Sequence, residues 1–232
     1  MSAFVTTRWS IVARAGLEDK DCRHEALEAL CRCYWKPVFV FVRNSGLDEE
    51  TAKDVTQAFF EKVLKANSLP AADPERGRFR TFLLTLLKRF IADWRDHGRA
   101  LKRGGGVTHV SLDWIDAPVL VDGGATPEEA FDRRWATTVM ERVAAALRTE
   151  VAAAGREELF SMLAPFLTSD PDPGDYARIG ETLGLSRGAI SMAVHRLRAR
   201  FRDLLRKEVA ETLSDSSDLE AEMDALREVL RG

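Results

Sequence analysis

Between Phe79 and Trp94 the apolar residues Phe79, Phe82, Leu83, Leu86, Leu87, Phe90, Ile91 and Trp94 recur at i, i+3, i+4, i+7, i+8, i+11, i+12 and i+15. That period places them on one side of a helix. Arg78, Arg80, Lys88, Arg89 and Arg95 fall on the other. Upstream, apolar residues at 27, 30, 31, 34, 35, 38, 41 and 42 keep the same period and predict a helix from Ala26 to Val42. Strand signals are scarce: the best apolar run, Val38–Val42, lies inside that helical period. Asn44-Ser45-Gly46 ends the helix, Gly46 suiting a left-handed C-terminal turn, and Asp48 caps a second helix to about Ala66. Asn67 to Gly77, with Pro70 and Pro74, reads as a loop.

Gly104-Gly105-Gly106 interrupts the pattern, and a segment rich in Asp, Pro and Gly follows to about Pro127. Thr126-Pro127-Glu128-Glu129 supplies an N-cap, a proline at the first helical position and acids in the first turn. Helices are expected over about 128–153 and 156–167, then a Pro/Asp loop from Thr168 to Gly174, then helix to about Leu213. No internal repeat is present. The expected fold is all-α, with two small helical domains: an N-terminal helical bundle over 25–103 and a C-terminal helix-turn-helix domain over 128–207. A flexible acidic linker (104–127) joins them, a segment 1–24 precedes and an acidic tail (208–232) follows.

The helix-turn-helix is expected over Tyr176–Phe201. Ile179 and Leu183 occupy buried positions of its first helix, Gly184 makes the turn, Leu185 plugs the space between the helices and Ser186 caps the second. Ile190, Val194, Leu197, Phe201 and Leu204 form the buried stripe of that second helix. Its exposed face begins with Arg187, Gly188, Ser191, Met192 and His195, where a recognition helix meets base edges, while Arg196, Arg198, Arg200, Arg202 and Arg206 suit phosphates.

Composition changes this picture through charge. The 232-residue chain has a net charge of −3, but its charges are segregated. Residues 76–103 carry net +7 and residues 187–207 net +6, whereas 111–132 and the tail from Glu208 each carry net −6. Two basic blocks on an acidic tether suit two contacts with one nucleic acid. Three cysteines do not make a disulfide framework, and no secretion signal or membrane-length apolar run is visible, so the expected location is the cytoplasm. Cys31 and Cys33 point about 200° apart on a helix and cannot share a metal. No nucleophile–base pair, metalloprotease spacing or P-loop occurs. No catalytic residue, metal or cofactor is expected, and the chain is not expected to be an enzyme.

The motifs in this order resemble a bacterial RNA polymerase sigma factor of the extracytoplasmic-function type, within the sigma-70 family. The resemblance covers about 25–103 and 130–207. Asp54-Val55-Thr56-Gln57-Ala58-Phe59-Phe60 looks like the family's core-polymerase-binding helix. Phe79-Arg80-Thr81-Phe82-Leu83-Leu84 through Ile91-Ala92-Asp93-Trp94 looks like the helix that melts and reads the −10 element, and Leu183-Gly184-Leu185-Ser186 to Leu197-Arg198 like the −35-reading motif. Thr7-Arg8-Trp9-Ser10 and Tyr34-Trp35 resemble a subgroup of that type. The resemblance implies RNA polymerase core and promoter DNA as partners, with control by an anti-sigma factor or a Ser/Thr kinase.

Residue by residue, Glu50, Asp54, Gln57 and Glu61 share one helix face that a basic polymerase surface would meet. Phe60 either anchors that partner or widens the buried face. The −10 candidates are Asn67 and Ser68 for a flipped base, and Arg76, Arg78, Arg80, Lys88, Arg89 and Arg95 for the strand. The −35 candidates are Arg187, Gly188, Ser191, Met192, His195, Arg196 and Arg198. Ser191 and Ala193 stand where the family commonly has basic residues. Thr51-Ala52-Lys53-Asp54 stands where it commonly has Asp-Ala-Glu-Asp, so Thr51 is a candidate phosphosite that would restore charge, unless Glu49 and Glu50 already replace the missing acids. The alternative function is a stand-alone helix-turn-helix regulator that binds operators as a dimer; Leu219, Met223, Leu226 and Leu230 of the tail suit either dimerisation or docking.

Overall fold

The computed structural model describes residues 20–65, 78–100, 124–213 and 218–231, with side chains for 31–63, 78–96, 124–213 and 218–231. Every regular element among them is helical: α1 Lys20–Asn44, α2 Glu49–Lys65, α3 Phe79–Ala100, α4 Pro127–Ala153, α5 Glu157–Leu163, a 3-10 turn Ala164–Leu167, α6 Asp175–Leu183, α7 Arg187–Ala210 and α8 Leu219–Arg231. The all-α class expected from periodicity is what forms. None of these helices is long and apolar enough to cross a membrane.

The described residues divide into two compact units. Residues up to Thr138 and from Ala210 onward form one, and Val139–Val209 the other. The division therefore falls within α4. Of the expected linker 104–127, residues up to 123 lie outside the described residues. The C-terminal stretch read as an acidic tail carries helix α8 and belongs to the first unit.

Local chemistry accounts for the ends of the helices. Gly46 takes φ +89° after α1. The Thr51 amide donates to Asp48 Oδ1 at 3.0 Å, satisfying one of the orphan N–H groups at the start of α2. At α4 the cap is reciprocal: the Glu129 amide donates to Thr126 Oγ1 at 3.2 Å and the Thr126 amide to Glu129 Oε2 at 2.8 Å. The first unit packs around Tyr34, Val38 and Val42 of α1, Val55, Phe59 and Phe60 of α2, and Phe79, Leu83, Leu87 and Ile91 of α3, all buried. The last four sit at i, i+4, i+8 and i+12, the centre of the stripe read from the sequence. Cys31 and Cys33 are both buried as well.

In the second unit Leu163, Phe166, Ile179, Ile190 and Val194 make one core cluster, with Tyr176, Leu183 and Leu197 packed against it. Tyr176 meets Phe166 edge-on at 5.7 Å. Gly184 turns the chain at φ +65°, and the Leu185 amide closes the end of α6 by donating to the Gly180 carbonyl at 2.8 Å. Leu185 does not plug the gap between the helices; it is 43% exposed. Gly180 closes the gap instead, being buried against the Leu185 backbone, where a Cβ would lie 2.5 Å from the carbonyl oxygen. Gly180→Ala is expected to destabilise this unit by about 1–3 kcal/mol through that clash. Gly188→Ala, whose Cβ would meet only Ser186 Oγ at 4.0 Å, should stabilise it by about 0.5–1 kcal/mol through helix propensity. Denaturant unfolding of the two variants measures both.

Candidate nucleic-acid interface

Helix α7 starts at a Ser cap: the Ala189 amide donates to Ser186 Oγ at 3.2 Å. Ile190, Val194 and Phe201 bury one side. The spacing then leaves Arg187, Gly188, Ser191, Met192, His195 and Arg196 all exposed on the other, with Met192 57% open to solvent. Six of the seven −35 candidates thus share an open face at the first half of the helix. Arg198 has a different place. Its Nε donates to the Phe166 carbonyl at 2.7 Å and its Nη2 to the Ser169 carbonyl at 2.6 Å, with Asp170 Oδ1 at 3.2 Å. The guanidinium closes the end of the 3-10 turn and is not displayed for phosphate. Arg200 is likewise paired, in a fork to both Glu150 oxygens at 2.9 and 2.8 Å, which holds the Glu150 carboxyl below its ordinary range.

The basic face of α3 is met by acids of its own unit. Arg78 Nη1 lies 2.8 Å from Glu222 Oε2, and Arg80 Nη2 lies 3.1 and 3.2 Å from the two Glu222 oxygens. Arg80 also faces Asp132 at 3.6 Å and stacks its guanidinium over the Trp135 ring at 4.4 Å. Lys88 pairs with Glu128 at 2.7 Å; that bond lowers the Glu128 carboxyl below its ordinary value. Arg95 donates to the Ser45 carbonyl at 2.7 Å, and Arg89 is exposed. Asn67, Ser68 and Arg76 lie outside the described residues.

Along α2, Glu50 and Asp54 are exposed, and the Gln57 amide donates to Glu61 Oε1 at 3.3 Å on the same face. Phe60 does not join them as a partner-facing anchor. It is 4% exposed, stacks on Trp35 at 5.5 Å and meets Phe59 edge-on at 5.4 Å, so it widens the core. Lys53 sits between Glu49 at 3.0 Å and Glu50 at 3.2 Å. The Thr51 hydroxyl donates to Asp48 Oδ2 at 2.6 Å, and those Thr51 hydrogen bonds hold the Asp48 carboxyl below its ordinary range.

Two features escaped the sequence reading. One is the Glu222 contact, between residues 142 positions apart in sequence. The other is a groove of about 320 Å³ in the second unit, lined among others by Leu147, Leu159, Phe160 and Leu197 and by Arg156 and Arg196. Three helices build that groove, so no local spacing announces it. Comparison of the chain with protein-family models, curated proteins and solved structures finds no match.

The pairing on α3 carries a pH signature. Glu222 is 1% exposed, and burial pushes its carboxyl above the ordinary value of 4.5 despite Arg80 and Arg78; burial raises Asp132 in the same way. Above pH 4.5 the folded chain therefore binds protons that the unfolded chain has released, and stability falls as pH rises through the raised value. Glu128 and Glu150, whose carboxyls are lowered, act oppositely and lose their contribution as pH falls through their folded values. Glu222→Gln removes the Glu222 contribution and leaves those of Asp132, Glu128 and Glu150 in place. The melting temperature of Glu222→Gln minus that of wild type should be flat below pH 4.5 and climb above it. A difference that shrinks with rising pH contradicts the assignment.

Proposed function

We propose that the chain is a promoter-specificity subunit of bacterial RNA polymerase, a sigma factor of the extracytoplasmic-function type acting in the cytoplasm. The observation that carries the proposal is the open face of α7. Six candidate readers stand together at the start of a helix whose other side is locked by a glycine turn and a core cluster. A major groove admits such a helix, and its first turns are the ones that reach base edges. In this reading Arg187 and Ser191, one turn apart, contact bases of the −35 element, Met192 covers an apolar base edge such as a thymine methyl, and Arg196 holds phosphate. Exposed Arg89, joined by Arg78 and Arg80 where a phosphate displaces Glu222, holds the −10 strand. The acidic face Glu50, Asp54, Gln57 and Glu61 meets a basic surface of the polymerase core, and Lys53, neutralised by two acids, leaves that face negative.

The chain performs no covalent chemistry here; it supplies binding energy that positions the polymerase. Control by an anti-sigma factor or by a kinase acting on Thr51 belongs to the same proposal. Phosphate on that hydroxyl would replace its bond to Asp48 with added charge on the polymerase-facing end of α2. The rival, a dimeric operator-binding regulator, loses part of its support from α8, because Met223 and Leu226 are buried within their own unit and only Leu230 of the four tail residues is exposed.

The test is transcription from a promoter library by purified core polymerase with and without the protein. Specific transcripts that depend on the protein are expected. Dimeric binding to palindromes without polymerase association would favour the rival. Arg187→Ala should cost about 1–3 kcal/mol of promoter affinity and relax preference at one or two positions. Arg198→Ala should instead lower folding stability by about 1 kcal/mol, since it removes the donors to the part-buried Phe166 carbonyl and the exposed Ser169 carbonyl at the end of the 3-10 turn. Calorimetry and binding-site selection separate the two effects.

A further inference from the structure

Glu222 is the most enclosed acid among the described residues, 1% exposed and held between Arg78 and Arg80. It is delivered by α8, whose Met223 and Leu226 are buried beside it while Glu220, Asp224 and Glu228 remain exposed. Opposite, Arg80 is fixed from two further sides by the Trp135 ring and by Asp132, and its Nη1, 3.6 Å from Asp132 Oδ1, is buried with no hydrogen-bond acceptor among the described residues. The result is a socket of two guanidiniums, of which Arg80 lies on an aromatic ring. Forked guanidiniums match the oxygens of carboxylate and of phosphate alike, and guanidinium over aromatic is a surface on which nucleic-acid strands are held.

We propose that α8 is an internal competitor for nucleic acid, its Glu222 carboxylate occupying the place that a strand phosphate takes when the helix leaves. This rests on the reading of the α3 face as a DNA contact. The competition follows from geometry. With Glu222 docked the Arg80 side chain is only 11% exposed, and the N–H groups it gives to the carboxylate are closed to a phosphate. A strand must therefore displace α8, and Met223 and Leu226 set how firmly it is held. The exposed acids of α8 add repulsion toward an approaching strand while the helix stays docked. The chain is thereby closed on its melting face when alone, and a surface that captures α8 opens it.

Two full-chain variants release α8 by independent routes. Glu222→Ala removes the carboxylate. The double variant Met223→Ala with Leu226→Ala removes the apolar anchors and leaves net charge untouched. Hydrogen exchange of the α8 amides reports release, and anisotropy of a labelled single-stranded oligonucleotide reports binding across a salt series. Both variants should lose α8 protection and bind the strand about tenfold more tightly at near-physiological salt. The slope of log affinity against log salt should steepen by about 1.4, the value for two added phosphate contacts on a single strand. Adding Arg80→Ala to either variant should remove most of the gain. Loss of α8 protection with unchanged strand affinity overturns the proposal. So does protection that persists in both variants, since Glu222, Met223 and Leu226 would then not be what docks the helix. Failure of the DNA reading itself looks different. In that case neither wild type nor any variant binds strand, and Arg187→Ala leaves duplex binding unaltered; that outcome overturns both.

Discussion

The Leu185 carbonyl crosses α6 so closely at Gly180 that only hydrogen fits between them, and the direction of α7 depends on that approach. With the turn at Gly184 fixed in left-handed geometry and Ser186 capping the next helix, α7 leaves α6 in one orientation. Ile190 and Val194 then fall onto Phe166 and Ile179, and the intervening residues are turned outward. Arg198 reinforces the arrangement from the far side by bonding carbonyls at the end of the 3-10 turn. The open face of α7 is thus a consequence of a backbone contact, and its side chains are free to be chosen for recognition.

Charge is handled differently in the two units. On α7 the cations nearest the N-terminus stay in solvent, while Arg198 and Arg200, further along, are used to hold the unit together. On α3, Arg80 and Lys88 face acids from α4 and α8, and the buried Glu222 is held at the expense of its own hydration. A cluster of this kind adds little net stability against an apolar alternative. It fixes where a helix docks and makes the docking sensitive to anything that competes for the arginines. The basic and acidic blocks that nearly cancel in net charge therefore meet, in part, inside one unit.

Much of this was legible from spacing. The stripe from Phe79 to Trp94, the caps at Asp48, Thr126 and Ser186, and the glycine at 184 are local signals, and local chemistry decides helix ends. What periodicity could not resolve was the edge of each apolar stripe. Phe60 sits at such an edge, and its fate was decided by Trp35 from another helix. Arg198 lies on a helix crowded with arginines that look alike in sequence; only the nearby Phe166 carbonyl distinguishes it. Glu222 was invisible for a third reason. Its partners are remote in sequence, and an acid on an amphipathic helix ordinarily faces water.

The most direct measurement places a photocrosslinking residue at position 191, on the open face of α7, in the full chain assembled with core polymerase on a promoter. The expected result is crosslinking to one fixed position upstream of the start site, lost when the bases there are changed. Crosslinks spread evenly along the duplex, or none in complexes that initiate transcription, would contradict the assignment of this face to promoter reading.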